Sequence, residues 1–170
     1  ATACAGAPAQ GAGTSTTSGY VPSDLHSAYA LPALTATNGT GQTVGIVDAF
    51  NDPTAAADLA TYRSAYGLPA CTVASGCFRQ VGESGTSTLP STDTGWAQEE
   101  SLDLDMVSAI CPNCKIILVE ATSASDTDLA TSVNTAVSLG ATEVSNSYGG
   151  SETSSETSGL DKTAYSASVV

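Results

Sequence analysis

Basic residues are scarce in this chain. Four Lys and Arg residues and one His stand against 17 Asp and Glu residues among 170, for a formal net charge of −13 at pH 7. This composition disfavours a nucleic-acid partner, because binding to phosphates depends on cationic side chains that release counterions. The scarcity of Lys and Arg also disfavours binding to an anionic membrane surface. At low pH the carboxylates become protonated and few cations remain to repel one another, so the composition suits an acidic medium.

Long apolar runs are also missing. No segment reaches the roughly 20 residues needed to span a bilayer. No signal-peptide pattern is present, so we expect a secreted protein to be represented here in processed form. Five cysteines, few lysines and abundant Ser and Thr predict an exported protein with disulfides. Residues 1–18, rich in Ala, Gly, Ser and Thr, are predicted to form a low-complexity N-terminal arm.

The cysteine spacing suggests disulfides and disfavours metal binding. Cys71 and Cys77 enclose a short loop and are the best candidates for one disulfide. Cys111 and Cys114 form a C-x-x-C motif, which in thioredoxin-like proteins follows a strand and precedes a helix. The predicted order here is the reverse, so we expect either a structural disulfide or a pair of thiols. No second Cys or His pair completes a zinc site, so no metal is predicted, and Cys4 is left either free or bonded outside the chain.

Strand and helix patterns alternate from residue 41 onward, and the cysteine loop is followed by a predicted surface loop at residues 82–94. The predicted strands are 43–47, 115–121, 142–147 and the start of a fourth at 169–170, and the predicted helices are 54–66, 95–110, 125–140 and 159–168. This order is typical of an α/β fold, with a parallel sheet covered by helices on both faces. Because the sheet is still being extended at residue 170, we expect a second chain or a missing segment to complete it.

Glu99 and Asp103 are four residues apart in a predicted helix, which places both carboxylates on one face. Val107 and Ile110 continue that face, so the acids lie at one end of an otherwise apolar stripe. Two like charges on a partly dry surface disfavour each other's ionisation, and we expect one carboxyl to hold or share a proton at moderately acid pH. Such a carboxyl can serve as a general base. The alternative is a pair of solvated helix acids among many acidic residues.

Five segments occur in a characteristic order along the chain. They are GYVPSDLHSAYALP (19–32), GQTVGIVDAFNDP (41–53), WAQEESLD (96–103), PNCKIILVE (112–120) and VSNSYGGSE (144–152). In this order they resemble the motifs of the sedolisins, the serine-carboxyl peptidases. The ordered set is more specific than any one motif. We therefore interpret residues 19–170 as the N-terminal part of a sedolisin-like peptidase domain.

The resemblance implies a fold and an activity. The fold would be subtilisin-like, with a parallel sheet that is incomplete in this chain, and the activity would be serine-type endopeptidase cleavage of polypeptide substrates in acid. By motif position, Glu99 would be the general base and Asp103 the residue that orients it. Glu100 and Asp105 match no catalytic position in the motif.

Other candidate residues lie near the strand ends, where ligands of parallel α/β sheets bind. Ser147, Tyr148 and Gly149 resemble the family's segment that pairs with extended substrate, and the alternative is a simple strand-to-loop turn. Asp48 follows the first predicted strand and is either a site residue or an acid that caps the next turn. His26 is expected to be a capping or surface histidine.

The family's nucleophile has no counterpart in this sequence. Sedolisins carry a serine in a late Gly-Thr-Ser segment that begins a helix, and an oxyanion aspartate in a Ser-Gly-Asp-Ser-type segment. The Gly-Thr-Ser triplets at 13–15 and 85–87 precede Glu99 and have no helical pattern after them, so neither is assigned. We expect the serine, and any calcium site that the resemblance implies, in a complementary C-terminal segment of the same precursor. The alternative function is a non-catalytic secreted acidic binding domain or a degenerate peptidase relative.

Overall fold

The computed structural model of the protein describes residues 19–32 and 37–151. The predicted arm at 1–18, the helix at 159–168, the strand at 169–170, the triplet at 13–15 and Cys4 lie outside these residues. In the part that is described, no helix combines the length and the apolar character needed to cross a membrane.

After one short helix, strands and helices alternate along the described chain. In chain order the elements are α1 (Pro22–Ala28), β1 (Thr43–Ala49), α2 (Ala55–Ala65), β2 (Phe78–Gly82), α3 (Thr94–Ile110), β3 (Lys115–Ala121), α4 (Asp126–Ser138) and β4 (Glu143–Asn146). The predicted α/β fold is confirmed, and the predicted elements that fall in this part are found within two residues at each end.

Strand β2 was not predicted, since the sequence indicated only the cysteine loop and a surface loop at residues 82–94 between the helices 54–66 and 95–110. It pairs in parallel with β3, with Phe78 opposite Ile116 and Val81 opposite Val119. Arg79 and Gln80 interrupt the apolar residues of this short strand, so its local pattern is weak. The strand forms because its backbone groups complete the hydrogen-bonding edge of β3, which is a tertiary effect.

The described strands form one parallel sheet in the order β2-β3-β1-β4. Alternate residues of the two central strands face opposite layers of helix. Ile46 and Leu118 belong to a core cluster that includes residues of α2 and α3. Val47 and Val119 belong to a second cluster that includes residues of α4. The sheet therefore lies between α2 and α3 on one face and α4 on the other.

Both predicted cysteine pairs form disulfides, Cys71–Cys77 and Cys111–Cys114. The second closes the turn between α3 and β3, so the structure settles the choice between a disulfide and two thiols. Gly39 lies directly against this disulfide with a φ of +81°. A Cβ atom there would overlap Cys111 Sγ, so both the backbone conformation and the space require glycine.

This close approach makes Gly39→Ala a specific test of the fold. Gly41 also has a positive φ, +92°, but no atom lies within 4 Å of a Cβ placed on it. We expect Gly41→Ala to lower the free energy of unfolding by about 1–2 kcal/mol through backbone strain alone. Gly39→Ala should cost about 1–3 kcal/mol more, because the added methyl group also displaces the disulfide. Equal losses in urea denaturation would contradict this packing.

Candidate active site

Two buried acids lie side by side near the carboxyl ends of the central strands. Asp48 of β1 and Glu120 of β3 are opposite each other in the parallel register, and both are fully buried. Asp48 lies two residues after Ile46, and Glu120 lies two residues after Leu118. Side chains two positions apart share one face of a strand, so both carboxyls point toward the layer that contains α3. An acidic patch therefore replaces the apolar core at this end of the sheet.

Helix α3 brings further carboxyls to the same place. The helix begins at Asp93, whose Oδ1 accepts hydrogen bonds from the backbone N–H groups of Gly95 and Trp96 at 2.9 and 3.1 Å. This N-cap fixes the start of the helix. Glu99 is half-buried one turn later, and Asp103 is 8% exposed one turn beyond that.

The predicted apolar stripe beyond this pair is confirmed only in part. Val107 packs against the core, whereas Ile110 is 39% exposed. The pair therefore lies on the buried side of the helix, while the end of the stripe turns toward solvent.

Asp48 joins the predicted pair. Burial raises the pKa of the Asp48 carboxyl to about 8, and the negative charges of Asp103 and Glu99 add to this effect. Both carboxyl oxygens of Asp48 are buried and have no hydrogen-bond partner among the described residues. The interpretation of Asp48 as an acid that caps the next turn is therefore wrong, and the structure places it beside the pair.

The raised pKa expected for the pair occurs at Asp103. The main cause of this rise is burial, and not the repulsion between like charges that the helical spacing predicted. A hydrogen bond from the Ser147 side chain lowers the pKa of Asp103 in part. Ser147 follows β4, so this contact links the predicted substrate segment to the acid pair.

The rest of that segment also lies beyond the carboxyl end of β4. Tyr148 is partly buried against the α4-side core, the cluster of Val47 and Val119 with residues of α4. Its hydroxyl donates a 2.8 Å hydrogen bond to Asn146 Oδ1. Gly149 is exposed. Within the described sheet, β4 is an edge strand. The segment is thus in a position that a peptide could reach, and its role in substrate binding stays a prediction.

A second acid pair, Glu100 and Glu120, was not predicted from the sequence, because Glu100 matches no catalytic position in the motif and Glu120 ends an apolar run. Both are fully buried, and the backbone N–H of Asp52 donates to Glu100 Oε2 at 3.1 Å and to Glu120 Oε1 at 3.0 Å. Gln80 Nε2 also donates to Glu120 Oε1, at 2.7 Å. One sequence signal could have indicated part of this cluster. Strands β1 and β3 end in the similar runs VDA and VEA, which parallel pairing places side by side.

The remaining candidates lie away from these acids or serve the fold. The ring nitrogen Nε2 of His26 is 3.0 Å from the carbonyl oxygen of Ala109, in the last turn of α3, as expected for a capping histidine. The triplet at 85–87 lies in the loop between β2 and α3, and no helix begins at it. Asp105 is buried. Among the residues that the structure describes, no group of three or more His, Cys, Asp or Glu side chains is arranged to hold a metal ion.

Comparisons with known proteins support the fold. No family model matches the chain, and no curated protein matches it significantly. Among solved structures it is similar to Pseudomonas sedolisin, a serine-carboxyl proteinase in complex with two molecules of pseudo-iodotyrostatin. The TM-score is 0.67 at 22% sequence identity, over 88% of this chain and 40% of that chain. The chain therefore spans less than half of the sedolisin chain and has an α/β fold consistent with the subtilisin-like fold of that enzyme.

The burial of Asp48 predicts an unusual dependence of stability on pH. Its pKa is about 8 in the folded chain and ordinarily 3.8, so folding takes up a proton between these values. The free energy of unfolding is then highest in acid and falls by about 1.4 kcal/mol per pH unit as the pH rises through this window. Asp48→Asn removes this contribution, because an amide does not titrate.

We expect Asp48→Asn to match the wild type near pH 4 and to exceed its free energy of unfolding at pH 7.5 by about 2 kcal/mol or more. Urea denaturation at the two pH values measures this difference. A difference that is the same at both pH values would show that Asp48 does not retain its proton in the folded chain.

Proposed function

We propose that this chain supplies the Glu/Asp part of a secreted, acid-acting serine-carboxyl endopeptidase. Residues 19–170 would form the N-terminal part of its peptidase domain, after the arm at 1–18. The observation that carries the proposal is the placement of Glu99 and Asp103. They lie one turn apart on α3, at the carboxyl end of a parallel sheet whose fold resembles that of sedolisin.

The different burial of the two carboxyls suits different roles. Half-buried Glu99 can reach a substrate, so we assign it the role of general base. It would accept the proton of a serine hydroxyl while the serine oxygen attacks the peptide carbonyl carbon. It would then return this proton to the amine as the C–N bond breaks, and water would hydrolyse the acyl intermediate by the same route. Buried Asp103, with its raised pKa, can stay protonated in acid and donate a hydrogen bond that orients Glu99.

The peptide substrate would extend along residues 147–149, beyond the carboxyl end of β4. Ser147, Tyr148 and Gly149 follow this strand, and an extended peptide could form backbone hydrogen bonds with them. The hydrogen bond from Ser147 to Asp103 would then connect the substrate segment with the residue that orients the base.

The serine nucleophile, the oxyanion aspartate and any calcium site would belong to a complementary C-terminal segment of the same precursor. Secretion is supported by the two disulfides, which persist in oxidising surroundings.

The test of the base assignment uses this chain together with its complementary segment and denatured protein as the substrate at about pH 4. We expect Glu99→Gln to lower kcat by about 10²–10⁴-fold, because an amide cannot accept the serine proton. Asp103→Ala should also lower kcat, because it removes the hydrogen-bond donor that would orient Glu99. Glu143→Gln is the matched control, because Glu143 is exposed at the opposite end of β4 and should leave kcat unchanged.

Hydrolysis by Glu99→Gln at the wild-type rate would exclude Glu99 as the base. Intact-mass analysis and N-terminal sequencing of the native protein test the complementary segment separately. If no polypeptide with a Gly-Thr-Ser segment accompanies the chain and no hydrolysis is detected, the non-catalytic binding domain replaces the peptidase.

A further inference from the structure

Glu100 and Glu120 join three separate parts of the fold. Glu100 is on α3, Glu120 is on β3, and both accept hydrogen bonds from one backbone N–H group, that of Asp52 between β1 and α2. This shared donor holds the two carboxyls side by side. Because neither carboxyl is exposed, water cannot substitute for these contacts.

A hydrogen bond between two carboxyls requires a proton on one of them. Glu120 is suited to be the ionised partner, because the Gln80 amide donates to it at 2.7 Å and the Asn51 amide nitrogen, when turned toward it, lies 3.1 Å from both of its oxygens. Glu100 is suited to be the protonated partner. Its Oε1 atom is buried and has no hydrogen-bond partner among the described residues.

The charged groups around the pair oppose the loss of this proton. Asp48 of β1 and Asp52 of the following loop are the other ionisable groups whose charges act on it, and both are acidic and buried. On α3 itself, Glu99 and Asp103 are the nearby acids, and β2 contributes only the neutral amide of Gln80. Burial, followed by the charge of Glu120, raises the pKa of Glu100, and burial also raises the pKa of Glu120.

We propose that the Glu100–Glu120 pair is a proton-dependent latch, which holds the first half of α3 on the sheet in acid and releases it as the medium becomes neutral to alkaline. When the shared proton is lost, two buried carboxylates face each other and the contact between α3 and β3 becomes repulsive. The half of α3 that carries Glu99 and Asp103 then separates from the sheet. The latch concerns the stability and placement of α3, so it does not depend on peptidase activity.

The single tryptophan of the chain reports on this movement. Trp96 lies in the first turn of α3 and packs, partly buried, against the α4-side core. We expect its fluorescence emission to shift to longer wavelength as the pH of the wild-type protein is raised from 4 to 9. Over the same range, the unfolding equilibrium constant should rise about tenfold per pH unit for each proton that only the folded state retains.

Glu100→Gln should abolish the shift of the Trp96 emission. It should also remove one factor of about ten per pH unit from the rise of the unfolding equilibrium constant. The reason is that an amide N–H₂ can donate to the Glu120 carboxylate at every pH. Glu120→Gln should act in the same direction, since it removes the second charge. Glu143→Gln, the same change at an exposed carboxyl on β4, should leave both the shift and the slope as in the wild type.

The proposal is overturned if the Trp96 shift and the slope persist unchanged in both pair variants. It is equally overturned if both variants fail to fold at pH 4, as judged by far-UV circular dichroism, because an amide should replace a protonated carboxyl there. A pH transition that moves in Glu143→Gln as much as in Glu100→Gln would show that net charge, and not the pair, sets the response.

Discussion

The structure depends on the burial of carboxyl groups between α3 and the carboxyl end of the sheet. Asp48 and Glu120 come from paired strands, and Glu100 and Asp103 come from the helix that covers them. Carboxylates are strongly hydrated, so this contact is favourable only when some of the groups hold protons or accept several hydrogen bonds. Among the described residues the buried cation, Arg63, is engaged elsewhere, since it binds Ser108 and the carbonyl oxygens of Pro69 and Pro112. We therefore expect protons, and not basic side chains, to neutralise the cluster.

This constraint connects composition, stability and the proposed chemistry. A chain with few basic residues has little means of pairing buried acids with cations, and it gains stability where acids are protonated. A carboxyl with a raised pKa keeps its proton in acid and can orient a neighbouring carboxylate through a hydrogen bond. Asp103 would need this property to orient Glu99 as the general base. The Glu100–Glu120 pair lies beside this site, because Glu100 is on the same helix as Glu99 and Asp103. An acidic medium that keeps a proton on the Glu100–Glu120 pair is thus expected to keep the proton on Asp103 as well.

Much of the fold could be predicted because its strands are continuous apolar runs and its helices have clear ends. The runs at β1 and β3 and the helix α3 lie where their patterns place them, and α4 begins next to its predicted start at residue 125, where the Ser125 side chain accepts from the Asp128 N–H. Strand β2 could not be predicted, because its pairing with β3 outweighs a weak local pattern. The positions of Glu99 and Asp103 on one face followed from helical spacing alone. Asp48 was left with two alternatives, Glu100 was given no role and Glu120 was not considered, because their meeting depends on strand register and on burial, which are properties of the tertiary structure.

The most direct test of the account is the protonation state of the buried carboxyls in the folded chain. Side-chain carboxyl ¹³C chemical shifts, followed by NMR from pH 3 to pH 9, report each group separately. We predict that the Asp48 and Glu100 carbons still have the shift of a protonated carboxyl at pH 6, because burial and the neighbouring acids raise the pKa of both groups. Complete ionisation of both carbons below pH 5, in the range of solvent-exposed carboxyls, would contradict the account.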